Sequence, residues 1–225
     1  MSARQYRLGE RQASVAQTRA RIIAAARKLL GAADASAAFT VDAVAAKAGV
    51  ARMTVFNQFG CKRGLLEALF DDLAARGLVE RLRASFMQPQ AREALAGFVA
   101  AFASFWSSDR IVIRRIRALA SLDPDFELAV RARDERRREG LRSIVGRLAE
   151  QYRKPSPAAQ QEVIAMLHTL TSFETFDNLA GPGRNPDKVI SLVCRLAQAV
   201  LELEERDGAR GMKEVPSRPR SKRCT

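Results

Sequence analysis

The sequence predicts an all-α protein, a small N-terminal helix-turn-helix domain followed by a larger helical domain. Three observations carry this. Apolar residues recur at helical spacing along most of the chain, and no run alternates as a strand would. Alanine is abundant and aromatic residues make up only 6% of the chain, a composition that suits helices better than sheets. Residues 39–66, FTVDAVAAKAGVARMTVFNQFGCKRGLL, set two short helices on either side of a glycine turn.

The elements follow in order. A first helix is expected from Ser14 to Ala32, with residues 33–38 as its exit loop. In the next, Val41, Val44, Ala45 and Ala48 fall at i, i+3, i+4 and i+7. Gly49 follows where a left-handed residue stops a helix. Val50, Val55 and Phe59 then turn inward, leaving Arg52, Met53, Thr54, Asn57 and Gln58 on the outer face of a second short helix. Ala51 is a poor cap for it. A long fourth helix is expected from Cys61, carrying Leu65, Leu66, Leu69, Phe70, Leu73 and Leu78. Gln88-Pro89 marks a break, after which Ala91 to Ser107 reads as a helix and Asp109 starts another. Asp123-Pro124 caps a long helix to about Arg153, whose run RARDERRREG reads as a solvated face with intrahelical ion pairs. Ser156-Pro157 starts a helix to Ala180. After the loop GPGRNP, Asn185-Pro186 starts the last one, to Asp207.

A chain of 225 residues accommodates a small domain and a larger one. The expected divisions are a basic arm at 1–13, the helix-turn-helix domain at 14–60, the larger domain at 61–207 and a basic, disordered tail at 208–225. The net charge is +13, of which +4 falls in residues 1–21 and +5 in residues 208–225. Basic arms of this kind are drawn to a nucleic-acid backbone without regard to sequence. Cys61, Cys194 and Cys224 are far apart with no His partner nearby, so neither a disulfide framework nor a metal site is implied, and a reducing cytoplasm fits. Cys61 reads as a serine-like helix cap, with a redox role as the alternative. No secretory or membrane-spanning segment is expected.

The segment 39–66 resembles the TetR family of bacterial transcription regulators. The family's Thr-Val start, Ala-Gly-Val turn, Thr-apolar-Tyr and Phe-x-x-Lys-x-x-Leu run correspond to Thr40-Val41, Ala48-Gly49-Val50, Thr54-Val55-Phe56, and Phe59, Lys62 and Leu65. Arg21, Ile22, Ala25, Ala26 and Leu29 extend the resemblance weakly into the first helix. Three positions depart from the pattern: Phe56 stands where tyrosine is usual, Ala51 where serine often caps, and Cys61 where serine or asparagine caps.

The resemblance implies a homodimeric, ligand-responsive repressor that binds an inverted-repeat operator in double-stranded DNA and needs no cofactor. An activator of the same type and an architectural DNA binder are the alternatives. An enzyme is disfavoured, since the chain has one histidine and no nucleophile constellation. The positions implied to touch DNA are Thr40, Val41, Arg52, Met53, Thr54, Phe56, Asn57, Gln58 and Lys62. Arg52 is the leading candidate to read a guanine edge; Thr40 and Lys62 would hold phosphate at helix N-termini. Candidates to line a pocket for a small effector are Phe102, Phe105, Trp106, Arg117, His168 and Phe173, although aromatic residues at this spacing are more often plain core. Arg114, Arg115 and Arg117 on one short helix suggest an acidic or phosphate-bearing effector; surface arginine is the default reading. Val189, Val193, Leu196 and Val200 alternate spacings of four and three, as do Val163, Met166, Leu170 and Phe173. Of these, Leu170, Phe173, Val189, Val193, Leu196 and Val200 are the implied dimer interface, a four-helix arrangement with a second subunit.

Overall fold

The computed structural model describes residues 3–32, 39–151 and 156–211, with side chains described between Gln12 and Leu201. The expected loop at 33–38, the tail beyond 211 and Cys224 lie outside the described residues. Among the described residues there are eleven helices and no strand. In chain order they are α1 (Ala3–Gly31), α2 (Val41–Ala48), α3 (Arg52–Phe59), α4 (Lys62–Ala75), α5 (Leu78–Phe86), α6 (Ala91–Ser108), α7 (Arg110–Ala120), α8 (Pro124–Gln151), α9 (Pro157–Leu170), α10 (Phe173–Ala180) and α11 (Pro186–Gly211). The chain forms two compact units: residues 1–81 with 104–136, and residues 82–103 with 137–225.

In the first unit α1 packs on α2, α4 and α7, and α3 sits on α2 and α4. Ile22, Ala26 and Leu30 of α1 meet Val44, Val55, Leu65, Leu69, Ile113 and Ile116 in a core that is essentially closed to solvent. Each large side chain so buried contributes about 1.5–3 kcal/mol. Polar ties reinforce the α1–α7 packing. Arg27 pairs with Asp109, and the Arg115 guanidinium donates to the carbonyls of Leu30 and Ala32, closing the C-terminal end of α1. Arg63 of α4 pairs with Asp125, and that hydrogen-bonded carboxylate holds its guanidinium more firmly charged than usual. Arg133 pairs with Asp71 and lies over the Phe70 ring.

Two expectations are corrected here. The first helix starts at Ala3 rather than Ser14, so the basic arm is mostly helical backbone; residues 12–17 are exposed on every side. The expected long fourth helix is two helices, because Gly77 takes φ +123°, which L side chains rarely adopt, and ends α4.

In the second unit α11 packs on α9 and α10. Glycine at 97 and 140 permits close crossings: a Cβ would lie 3.2 Å from the Ser85 side chain at the first and 2.8 Å from the Phe98 ring at the second. Phe86 and Phe98 meet edge to face, with ring centroids 6.0 Å apart. The helix expected from Ser156 to Ala180 is broken. Thr171 closes α9, and the Ser172 hydroxyl accepts from Thr175 N at 3.1 Å to start α10. Arg137, inside the run expected to be solvated, is buried at 4% exposure. It donates to the His168 carbonyl (3.0 Å) and to Thr171 Oγ1 (3.2 Å), supporting the end of α9 where the dipole favours a cation. The last helix extends to Gly211, four residues past its expected end.

Candidate nucleic-acid interface

The turn geometry follows from a few local choices. Thr40 is extended and its hydroxyl accepts from Ala43 N at 3.1 Å, capping α2. Gly49 is left-handed (φ 64°, ψ 43°), and the N–H groups of Gly49 and Val50 return to the carbonyls of Ala46 and Ala45. Ala51 precedes α3 with no side-chain cap. After α3, Gly60 N bonds Phe56 O at 2.7 Å, and Cys61 begins α4 with its sulfur accepting from Gly64 N at 3.5 Å. Cys61 thus occupies the cap geometry that its position suggested.

Three of the nine sequence-derived DNA residues stand fully outward on α3. Arg52, Met53 and Asn57 are exposed, Met53 at 64%, an unusual level for an apolar side chain. Thr54, Phe56 and Gln58 are half-buried on the flanks of the same helix. Thr40 and Lys62 are exposed at the starts of α2 and α4; Val41 is half-buried. The Lys62 ammonium lies 5.5 Å from the centre of the buried Phe39 ring. The two helix starts offer backbone N–H groups and positive dipole ends, which suit phosphate oxygens.

Sequence reasoning missed three residues of this region. Arg19 of α1 donates from Nη1 to the Gln58 carbonyl at 2.9 Å, and its guanidinium sits 4.4 Å from the Phe59 ring centre. It pins the end of α3 to α1. A carbonyl exists on every residue, so no spacing in the sequence announces such a bond. Asp42 accepts from Arg52, tying the first turn of α2 to the first turn of α3. Gly64 lies so close to the α3–α4 turn that a Cβ would fall 2.1 Å from the Phe59 carbonyl oxygen. Arg19→Ala should lower stability by about 1–2 kcal/mol, from one charge-assisted bond and one cation–π contact. Its heat-unfolding midpoint checks this, and an unchanged midpoint contradicts the pinning role.

The effector candidates divide between the units. Phe105, Trp106 and Arg117 belong to the first, Phe102, His168 and Phe173 to the second. Phe105 stacks edge to face on Phe70 at 5.8 Å and Arg117 pairs with Asp134. Phe102 packs against Phe98 at 4.9 Å, and Phe173 is buried. His168 lies beside two guanidiniums, its Nε2 3.0 Å from Arg137 and its Nδ1 3.4 Å from Arg138. A cleft of about 50 Å³ in the second unit is lined by other residues: Arg92, Leu95, Ala96 and Val99 of α6, and Cys194, Ala197, Gln198 and Leu201 of α11. Burial pushes the Cys194 thiol above its usual range. Among the described residues no three His, Cys, Asp or Glu side chains cluster as metal ligands do, and no helix is long and apolar enough to cross a membrane.

The apolar seam on the last two long elements divides by exposure. Phe173, Val189, Val193 and Val200 are buried within the protomer itself, where Val163, Ile164 and Leu167 of α9 are buried as well. Leu196 and Met166 remain exposed at 37% and 36%, and Leu170 and Leu192 are half-buried.

Two short helices joined by a left-handed glycine, the second presenting a polar face between two exposed helix starts, define a helix-turn-helix DNA-binding protein. Residues 22–69 match the bacterial regulatory proteins of the tetR family. That segment is a DNA-binding domain of the tetR-family kind, and the chain is similar there to the transcriptional regulators of TetR type. Solved structures extend the likeness in fold beyond the matched segment. A TetR-like transcriptional regulator from a Rhodococcus species is 19% identical with a TM-score of 0.63, over 82% of this chain and 96% of that one. The TetR family regulator PfmR from Thermus thermophilus is 25% identical with a TM-score of 0.56, over 79% and 97%. The fatty acid degradation regulator FadR from Bacillus halodurans is 17% identical with a TM-score of 0.60, over 82% and 94%. No curated protein sequence matches.

Proposed function

We propose that this regulator is a homodimeric repressor that binds an inverted-repeat operator and leaves it when a small effector binds. The observation that carries the DNA half of this reading is the outward face of α3. Arg52, Met53 and Asn57 are exposed there on a helix pinned at its far end by Arg19. Arg52 reads a guanine through its fork, Asn57 and Gln58 read adenine or hold phosphate, and Thr54 packs its methyl on thymine. Thr40, Val41, Met53, Phe56 and Lys62 position the head on the backbone. Phe56 keeps a ring against the guanidinium of Arg52 but has no hydroxyl to offer a phosphate.

The dimer half rests on a second apolar stripe. With Val189, Val193, Ala197 and Val200 used by the protomer's own core, Leu196 of α11 and Met166 of α9 remain exposed and Leu192 half-buried. A two-fold partner covers that stripe, setting two reading helices one turn of DNA or a multiple apart. Residues 14–60 then read DNA, while 61–207 bind effector and dimerise. Release requires an effector that favours the DNA-incompetent state, and the side chains around His168 are its nearest candidates.

The test is to select bound fragments from genomic DNA. An inverted repeat, bound more tightly than random duplex at moderate salt, is the expected result. Loss of all sequence preference at that salt would instead identify an architectural binder. Arg52→Ala should remove discrimination at one base pair per half-site.

A further inference from the structure

Asp42 is the only carboxylate in residues 39–62, the stretch that would face DNA. A negative charge there is unfavourable beside phosphate unless something uses it. Both of its oxygens accept from Arg52, and from a single nitrogen, Nη1, at 2.8 and 3.1 Å. Both side chains are about 60% exposed (59% and 61%), and an ion pair that open stabilises a fold little. On its other side the guanidinium lies 5.3 Å from the centre of the Phe56 ring. Arg52 is therefore held by a carboxylate from α2 and a ring from its own helix.

We infer that Asp42 is a positioning residue for base reading, fixing Arg52 by Nη1 so that its Nε–Nη2 edge meets a guanine. The inference rests on the reading of Arg52 as a base reader. The guanidinium is planar, and Nε–H and Nη2–H point the same way, parallel and spaced to match O6 and N7 of guanine. With Nη1 committed to Asp42, that side-on edge is the one left for a bidentate contact. A long arginine side chain samples many orientations, several able to reach a phosphate instead. Holding it favours the base over the backbone and so converts affinity into discrimination. The same arrangement gives Asp42 its second effect: once Arg52 is gone, its charge opposes DNA of any sequence.

The test measures dissociation constants for the selected operator duplex, for each single-base-pair variant of it and for a random duplex. The proteins are the unmodified chain, Arg52→Ala, Asp42→Ala, Asp42→Glu and Arg52→Ala/Asp42→Ala, each checked for an unchanged unfolding midpoint. Arg52→Ala identifies its base pair by flattening discrimination there. At that base pair alone, Asp42→Ala should cut discrimination about two- to fivefold, the range open to an exposed pair, and tighten random-duplex binding. In the Arg52→Ala background the same change should leave discrimination as it is and tighten binding to every duplex. Asp42→Glu, which keeps the carboxylate, should restore part of the discrimination. A normal response to Arg52→Ala with none to Asp42→Ala overturns this inference alone, as does an equal loss at all positions. A flat response to Arg52→Ala overturns the base-reading role and the inference with it.

Discussion

Replacing Gly64 with alanine is expected to damage the DNA-binding head, although alanine is the better helix former. In an open helix position the exchange gains up to about 1 kcal/mol. Here the added carbon would sit 2.1 Å from the Phe59 carbonyl oxygen and 3.3 Å from its carbon. Those are backbone atoms of the turn that joins α3 to α4, so no side chain can rotate away. Gly60 and Cys61 are already bonded back to Phe56 and Phe59, which leaves the turn little freedom to absorb the shift. Overpacking of this kind costs about 1–3 kcal/mol beyond the lost propensity gain, and the displaced turn carries α3 with it. The unfolding midpoint should drop and operator binding weaken more than tenfold (about 1.4 kcal/mol or more). Gly146→Ala in α8 is the matched control, since nothing lies within 4 Å of its added carbon and its backbone is helical. It should be neutral or stabilising; a Gly64→Ala protein that behaves like it would contradict the close approach.

The second large effect concerns assembly. Leu196→Glu should give a folded protein that sediments as a monomer, because Leu196 is 37% exposed and its loss leaves no hole in the core. Operator affinity should then fall about 100-fold or more, as two half-sites are no longer engaged by one linked pair of heads. Val193→Asp behaves differently. Val193 is 2% exposed, and an unpaired carboxylate there costs several kcal/mol and should unfold the second unit. Circular dichroism separates the two outcomes. A Leu196→Glu protein that remains a dimer rules out the exposed stripe as the interface.

The helix-turn-helix was legible because its signals are local. Thr40 caps within three residues, Gly49 supplies the one backbone state the turn needs, and the apolar spacing on α2 spans two turns. The breaks at Gly77 and at Thr171-Ser172 were missed for the converse reason: apolar periodicity runs through a two-residue interruption almost unchanged, so it reports a buried face better than a continuous axis. Arg137 was missed because a run of alternating charge reads as solvated, and only the fold decides which member points inward. The stripe on α11 showed that a face is covered. It could not say whether by the same chain or by another, and Val193 and Leu196, three residues apart, lie on opposite sides of that distinction. Arg19, Asp42 and Gly64 act across 39, 10 and 5 residues of sequence through backbone atoms or paired charges that carry no spacing signature.

The fixing of α3 from its ends and its inner face bears on how such a regulator could change its target. Val55 alone anchors the helix in the core, Arg19 holds its last turn and the Gly64 junction sets its exit. Met53 and Asn57 take no part in that anchoring, and Arg52 adds only its exposed pair with Asp42, which stabilises the fold little. Substitutions at those three positions are therefore nearly free of folding cost, and a lineage or a designer can rewrite the DNA word the protein recognises while leaving its architecture untouched.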